Sequence, residues 1–354
     1  MGGMQADESS SGAVSPAPQA HASMHDVAVA AGVSTSTVSR ALRGQSNVRP
    51  DTAARVRAIA EELGFTVTAS ASGLASGKVK RIAVLLGSPV SDWFSGQILD
   101  AIIRVVRGAG YDLLLYRVHG AKERESFFRT MPARRNADAM IVASFRLQPE
   151  EQATLARIGI PTVYLNQKVE GYPGVGMDDV GAGAGATRHL LDRGYHRLIY
   201  LRELLEQDFV WSAQDRYTGF RAAVEAAHEA VEESGVVQVR LAEEFQDDLA
   251  RQLAADVEKT GRPVGVLAEN DALAMRLLTG LRRNGVDVPG QVGVVGFDGQ
   301  DWSLRLGLTT VVQPVQRLAS AAAEIALRLA RDEATDHDSE WLEVPTVLRE
   351  SEST

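Results

Sequence analysis

From Arg81 onward, short apolar runs alternate with longer amphipathic ones, and this alternation constrains the fold more than any other feature of the chain. The apolar runs are Ile82–Leu86, Asp112–Tyr116, Ala139–Ala143, Thr162–Leu165, Leu198–Leu201, Val264–Ala268 and Val292–Gly296. They are too short for helices. Most are apolar throughout, as a strand must be when both faces of its sheet are covered. Between them lie helical stretches such as Ile98–Arg107, Ala182–Asp192, Tyr217–His228 and Ala272–Arg283. Strands alternating with helices predict an α/β fold with parallel sheets. About 270 residues is too much for one sheet, so two lobes are expected. Parallel sheets take their ligands beyond the C-terminal ends of the strands. Two lobes facing each other there would enclose a cleft.

Upstream, three short helical patterns fill residues 25–64, and they predict an all-α N-terminal module. His25–Leu42 reads HDVAVAAGVSTSTVSRAL. Asp26 is expected to cap a first helix with Val27, Ala28 and Ala31 on its inner face. Gly32 permits the left-handed turn that ends it. Ser34 is expected to cap a second helix whose inner face is Val38, Ala41 and Leu42. A third, Asp51–Leu63, would pack Ala54, Val56, Ile59, Ala60 and Leu63 behind the pair. Ala28, Gly32 and Val38 stand at helix-turn-helix spacing. In that motif the second helix enters the major groove by its N-terminal end. Ser34, Thr35, Ser36 and Thr37 would then meet bases or phosphates. Arg40, one turn on, would reach a guanine with its planar fork. The competing reading is a helical hairpin with a solvated hydroxyl cap.

Charge distribution agrees with a nucleic-acid module on a larger body. The chain carries −9 overall, yet residues 24–80 hold seven Lys/Arg against four Asp/Glu. Phosphate contact therefore belongs to that segment alone. Residues 1–23, rich in Ser, Gly, Ala and Pro, lack the basic start and apolar run of a signal peptide and are expected to be a disordered leader. Met24 is an alternative start. No apolar stretch reaches membrane-spanning length, and the expected location is the cytoplasm. The absence of cysteine excludes disulfides and thiolate metal sites. Residues 69–80 are expected to be a hinge, because Ala69–Gly77 is a run of small residues. The expected division is leader 1–23, helix-turn-helix headpiece 24–68, hinge 69–80 and effector-binding body 81–354.

Other motifs are weaker. Gly181–Ala186 loosely fits a dinucleotide fingerprint, but its acids precede the glycines, and a small-residue helix face packing on a sheet fits it better. His189 and His196 have no third ligand near them in sequence. No P-loop or nucleophile elbow is present, and no metal, cofactor or enzyme activity is expected. Trp93 and Phe94 directly follow the first strand of the body, at the expected cleft mouth, where ligand contact and packing weigh equally. Trp302, Trp211 and Phe145 fit packing better than a ligand platform.

These residues resemble the lactose-repressor (LacI/GalR) family of bacterial regulators. DVAVAAGVSTSTVSRAL matches its headpiece nearly position by position, and the likeness continues in order through NVRP (47–50), RHLLDRGYHR (188–197), RYTGF (216–220), Asn270–Asp271, GFD (296–298), LTTVVQP (308–314) and VLRES (347–351). The resemblance implies a homodimer on a palindromic DNA operator and a body like the type I periplasmic binding proteins, two α/β lobes joined by three crossing strands. It implies base reading by Thr35 and Ser36, a groove contact by Arg40, and a hinge wedge at Leu74. It places Asn166, Arg216, Asn270 and Asp298 at effector-contact positions, where Trp93, Phe94 and Trp302 could cover a ligand face. Val67–Thr68 replaces the family's usual Pro-Asn, Gly73 stands beside Leu74, and Gly299 stands where a second acid is common. The expected function is a ligand-responsive repressor, its effector a sugar. A purine effector or an activating role is the alternative within the family. A transporter's solute-binding protein would share the body but have an export signal and no headpiece. A nicotinamide-dependent oxidoreductase would need the weak glycine motif.

Overall fold

The computed structural model describes residues 22–42, 47–65, 78–204, 213–239, 245–333 and 341–354. The hinge residues Gly73 and Leu74, and Trp211, lie outside them. The chain separates into a unit ending at Gly77 and a unit spanning Lys78–Thr354.

The first unit is three helices, α1 (Met24–Ala31), α2 (Thr35–Leu42) and α3 (Pro50–Glu62), around a small apolar core. Ser23, not Asp26, is the N-cap of α1. Asp26 sits three residues in and closes a capping box, its carboxylate accepting from the Ser23 N–H at 2.7 Å. Gly32 ends α1 at φ 64°, its N–H and that of Val33 donating to the last carbonyls of the helix. Val27, Val38 and Val56 are fully buried where the helices meet. The inner face of α3 is Ala53, Val56 and Ala60. Ala54 points outward and Leu63 is 40 % exposed, correcting the expected face by about a third of a turn.

The second unit has two sheets. The first runs in the order β11-β5-β4-β3-β1-β2: Trp341–Glu343, Gly174–Gly176, Thr162–Leu165, Ala139–Ala143, Arg81–Leu86 and Asp112–Arg117, all parallel. The second is β12-β10-β9-β8-β6-β7: Val347–Arg349, Thr309–Val312, Val292–Asp298, Val264–Ala268, Arg197–Glu203 and Glu233–Val239, parallel except for β12. Alternate residues of a strand serve opposite faces. Ile82, Val84 and Leu86 of β1 meet α4 (Trp93–Gly108) and a C-terminal helix, Val315–Ala330, while Ala83 and Leu85 join Phe127 and Leu155 on the other face. Two-sided burial is why these strands read as continuous apolar runs.

The chain passes between lobes three times. It leaves the first sheet after β5, returns after β10 into Val315–Ala330, which packs on β3, β4 and β5, and crosses again between β11 and β12. The glycine-rich segment forms helix Asp179–Asp192. It packs most closely against helix Ala213–Ala226 and also touches the second sheet at β8, β9 and β12. A Cβ on Gly183 would lie 2.3 Å from the Arg216 carbonyl oxygen, and one on Gly219 2.0 Å from that of Val180. Only glycine lets these two helices approach so closely.

Candidate functional site

On the headpiece, Ser34 accepts from the Thr37 N–H at 3.2 Å, and its hydroxyl lies 2.9 Å from those of both Ser36 and Thr37. Capping thus engages Ser34, while Thr35 and Ser36 stay exposed at the leading turn. Arg40 folds back along α2, its Nε donating to the Ser36 carbonyl at 3.1 Å and its Nη2 lying 3.4 Å from the Ser36 hydroxyl. The side chain must leave that position to extend toward a base.

In the body, a cavity of about 660 Å³ opens between the lobes at the C-terminal ends of the strands. Trp93, Phe94, Arg216, Asn270 and Asp298 line it. Trp302 does not: it is 70 % exposed on a short helix, with the Arg305 guanidinium 5.6 Å from its ring. Phe145 is core, fully buried beneath Arg124. Asn166 lies behind the cavity wall. Its Nδ2 donates to Asp179 at 3.2 Å and its Oδ1 accepts from the Met177 N–H at 3.3 Å.

Asp179 is the joint of this region. It also accepts from Arg216 Nε at 2.8 Å, while Arg216 Nη1 donates to the Glu269 carbonyl at 2.6 Å and the guanidinium rests 3.8 Å from the Phe297 ring centre. Burial pushes the Asp179 carboxyl up, and Arg216 pulls the other way. Asp298 accepts from Gln313 Nε2 at 2.6 Å and Gln300 Nε2 at 3.0 Å. Its carboxyl is raised, by burial first and by neighbouring Asp271 second. Asn270 caps the next helix, accepting from the Leu273 N–H at 2.9 Å.

Three non-glycine residues here have left-handed backbones: Ser144 at φ 65°, Asn166 at φ 56° and Asp298 at φ 139°. Each ends or follows a parallel strand. Such conformations cost about 1–3 kcal/mol and persist where neighbours hold them, commonly at ligand sites. The sequence reading overlooked Ser144, Glu203, Glu269 and Gln313, which also line the cavity. Glu269 follows the run Val264–Ala268 directly, so its position after a strand was an available signal. His189 is structural, its Nε2 lying 2.8 Å from the Thr354 hydroxyl.

A hydroxyl-tipped helix-turn-helix ahead of a two-lobed cleft defines a class, the ligand-responsive DNA-binding regulators. Comparison with known proteins agrees at both ends. Residues 23–67 match the model for bacterial regulatory proteins of the lacI family, and residues 187–352 match a periplasmic binding protein-like domain. The HTH-type transcriptional repressor PurR of Vibrio campbellii is 30% identical over 332 residues, covering 91% of this chain and 96% of that one. The HTH-type transcriptional regulator GalR of Escherichia coli is 29% identical over 341 residues, 94% and 96% of the two chains. A LacI-family transcriptional regulator from Silicibacter pomeroyi superposes at a TM-score of 0.74 with 26% identity, covering 94% and 99%. The lac repressor dimer bound to operator and an anti-inducer shares the fold at 0.77, with 19% identity over 94% and 98%. The chain belongs to the LacI family of transcription regulators. It is a ligand-responsive DNA-binding regulator and not an enzyme. None of its described helices is long and apolar enough to cross a membrane.

Proposed function

We propose that the chain is a cytoplasmic repressor that binds a palindromic operator as a homodimer and answers to a sugar. The headpiece, 24–68, reads each half-site through Thr35, Ser36 and Arg40, with Ser34 and Thr37 organising the leading turn. The hinge, 69–80, inserts Leu74 into the minor groove, a role that rests on the family resemblance. The body, 81–354, senses the effector and dimerises.

The observation that carries the sugar reading is the cavity wall. Asp298 is held by Gln313 and Gln300, with Asn270 and Arg216 beside it, and Trp93 and Phe94 supply apolar faces from the other lobe. Fixed carboxylate, amide and guanidinium groups suit paired hydroxyls, and aromatic faces suit the C–H face of a sugar ring. A volume of about 660 Å³ admits a mono- or disaccharide. The test is titration of the full chain with sugars and purines, followed by tryptophan fluorescence, alongside operator binding. Saturable sugar binding that changes operator affinity is expected. Binding of a purine base with none of any sugar would overturn the assignment.

A further inference from the structure

The cavity has more acid than the sugar reading needs. Asp298 is satisfied by two amide donors, but Asp92, Glu203 and Glu269 also face the cavity. Asp92 stands at the start of α4 in the first lobe. Glu203 ends β6 and Glu269 follows β8 in the second. The two glutamates are neighbours, since Glu269 Oε1 accepts from the Glu203 N–H at 2.7 Å. Asp92 helps push the Glu203 carboxyl up, after burial, while Arg117 draws Asp92 the other way. Cations stand on the same wall. Arg216 is paired with Asp179, Arg202 Nε forms a long ion pair with Glu269 Oε2 at 3.9 Å without a hydrogen bond between them, and Arg276 lines the cavity and offsets part of the Asp92 effect on Glu203.

A second, independent observation concerns donors. Glu269 Oε2, Gln313 Oε1 and Ser144 Oγ are buried, belong to residues lining the cavity, and have no hydrogen-bond partner. Two of these three atoms can only accept. A buried acceptor left without a donor costs about 1–3 kcal/mol, so the wall is built for a guest that brings N–H or O–H groups. Among the described residues no three acidic or imidazole groups converge tightly enough to hold a metal ion. The donors are therefore sought on an organic group.

We propose that the effector carries a protonated amine, which docks on Glu269 beside Glu203, with Asp92 of the first lobe adding its negative charge to that edge of the cavity. The amine supplies three donors and a positive charge to a wall that offers buried acceptors and acids. The inference deepens the sugar reading, on which it rests for the remaining contacts: an amino sugar fills the cavity, amine on the acids and hydroxyls on Asp298 and Asn270. The state of the free site agrees. Burial pushes Glu269 up to about 7, and burial with Asp92 nearby pushes Glu203 up to about 6. An ammonium ion would draw both down, so binding near neutral pH should release protons.

The experiment is isothermal titration of the full chain with matched probes: glucose and glucosamine, galactose and galactosamine, cellobiose and its diamino counterpart, and cadaverine as an amine without hydroxyls. At least one amine-bearing sugar should bind about 10-fold or more tightly than its hydroxyl twin, the scale of one charge-assisted hydrogen bond. Its heat should depend on the buffer's ionisation enthalpy through the released proton, and the neutral twin's should not. Glu269→Gln should erase the gain, and Glu203→Gln, at a more open position, should reduce it. Neutral sugars binding as well as their amine twins would overturn this inference and leave the sugar reading standing. Cadaverine binding with no response to any sugar would keep the amine and overturn the sugar. Failure of every amine probe, or a gain that survives Glu269→Gln in a folded protein, overturns the proposal.

Discussion

Gly183→Ala adds one methyl group in a place where the structure has none to spare. The new Cβ would sit 2.3 Å from the Arg216 carbonyl oxygen and 3.0 Å from its carbonyl carbon, on the opposing helix. Neither partner is a flexible side chain, so one helix must move. Alanine is favoured over glycine within a helix by about 1 kcal/mol. Overpacking against backbone costs about 3 kcal/mol, the upper part of its usual range, because no rotamer relieves it. The net loss is about 2 kcal/mol, which in a unit of this size lowers Tm by about 4–8 °C. The displaced residue is the one whose guanidinium meets Asp179 and the Glu269 carbonyl, so effector affinity should fall as well. Gly185→Ala is the internal control. It lies on the same helix, and a Cβ there meets nothing nearer than Arg188 Nη2 at 3.9 Å. That variant should gain about 0.5–1 kcal/mol and bind effector normally. Thermal and urea unfolding of both variants, with fluorescence titration, would decide. A Gly183→Ala protein as stable as Gly185→Ala would refute the helix-contact argument.

Arg40→Ala should weaken operator binding by about 1–3 kcal/mol in fluorescence anisotropy while barely changing affinity for random DNA. An equal loss on both would make Arg40 a phosphate contact. Glu269→Gln should change how stability depends on pH. Folding raises the Glu269 carboxyl to about 7, so the folded chain keeps a proton that the unfolded chain has already lost, and this share of stability disappears as pH rises from the ordinary carboxylate range to about 7. The variant should therefore exceed wild type by about 1–3 kcal/mol near pH 8 and hardly at all near pH 5. Equal differences at both pH values would remove the charge explanation.

Strand positions were legible because they obey one rule. Ala139–Ala143, Thr162–Leu165 and Val264–Ala268 are buried on both faces, and their apolar runs begin and end where the strands do. Gly174–Gly176 and Trp341–Glu343 were not, because three-residue strands carry no periodicity. Glu233–Val239 is largely exposed and reads as a loop. The cleft was half legible. Arg216, Asn270 and Asp298 fall in family motifs. Asp179 and Glu269 matter through what tertiary contact brings to them: Asp179 meets Arg216, 37 residues away, and Glu269 meets the Glu203 N–H, 66 residues away. The small face of Asp179–Asp192 was visible in sequence, as was a sheet for it to pack on, but its closer partner is a helix, which a crossing through Gly183 and Gly219 allows.

Coupling between effector and operator requires that lobe movement reach the start of the body, and the structure shows how that start is held. Lys78, Val79 and Lys80 precede β1. The Val79 and Lys80 N–H groups donate to the Asp138 carboxylate at 2.8 and 2.6 Å, and Lys78 Nζ donates to the Ala330 carbonyl at 2.7 Å and to Asp332 at 2.6 Å. All these partners belong to the first lobe, and Lys80 is kept at φ 53° among them. Residue 78 is therefore tied to the first lobe, at the point where the body begins. Hydrogen bonds to a charged acceptor contribute about 1.5–3 kcal/mol each. Asp138→Ala removes two of them at the end of β3 opposite the cavity-lining Ser144. It should leave effector affinity within about 2-fold, while the coupling free energy, ordinarily about 1–3 kcal/mol, falls by about half or more. The measurement is operator affinity with and without saturating effector, for wild type and variant. An unchanged ratio would mean that the signal leaves the body by another path.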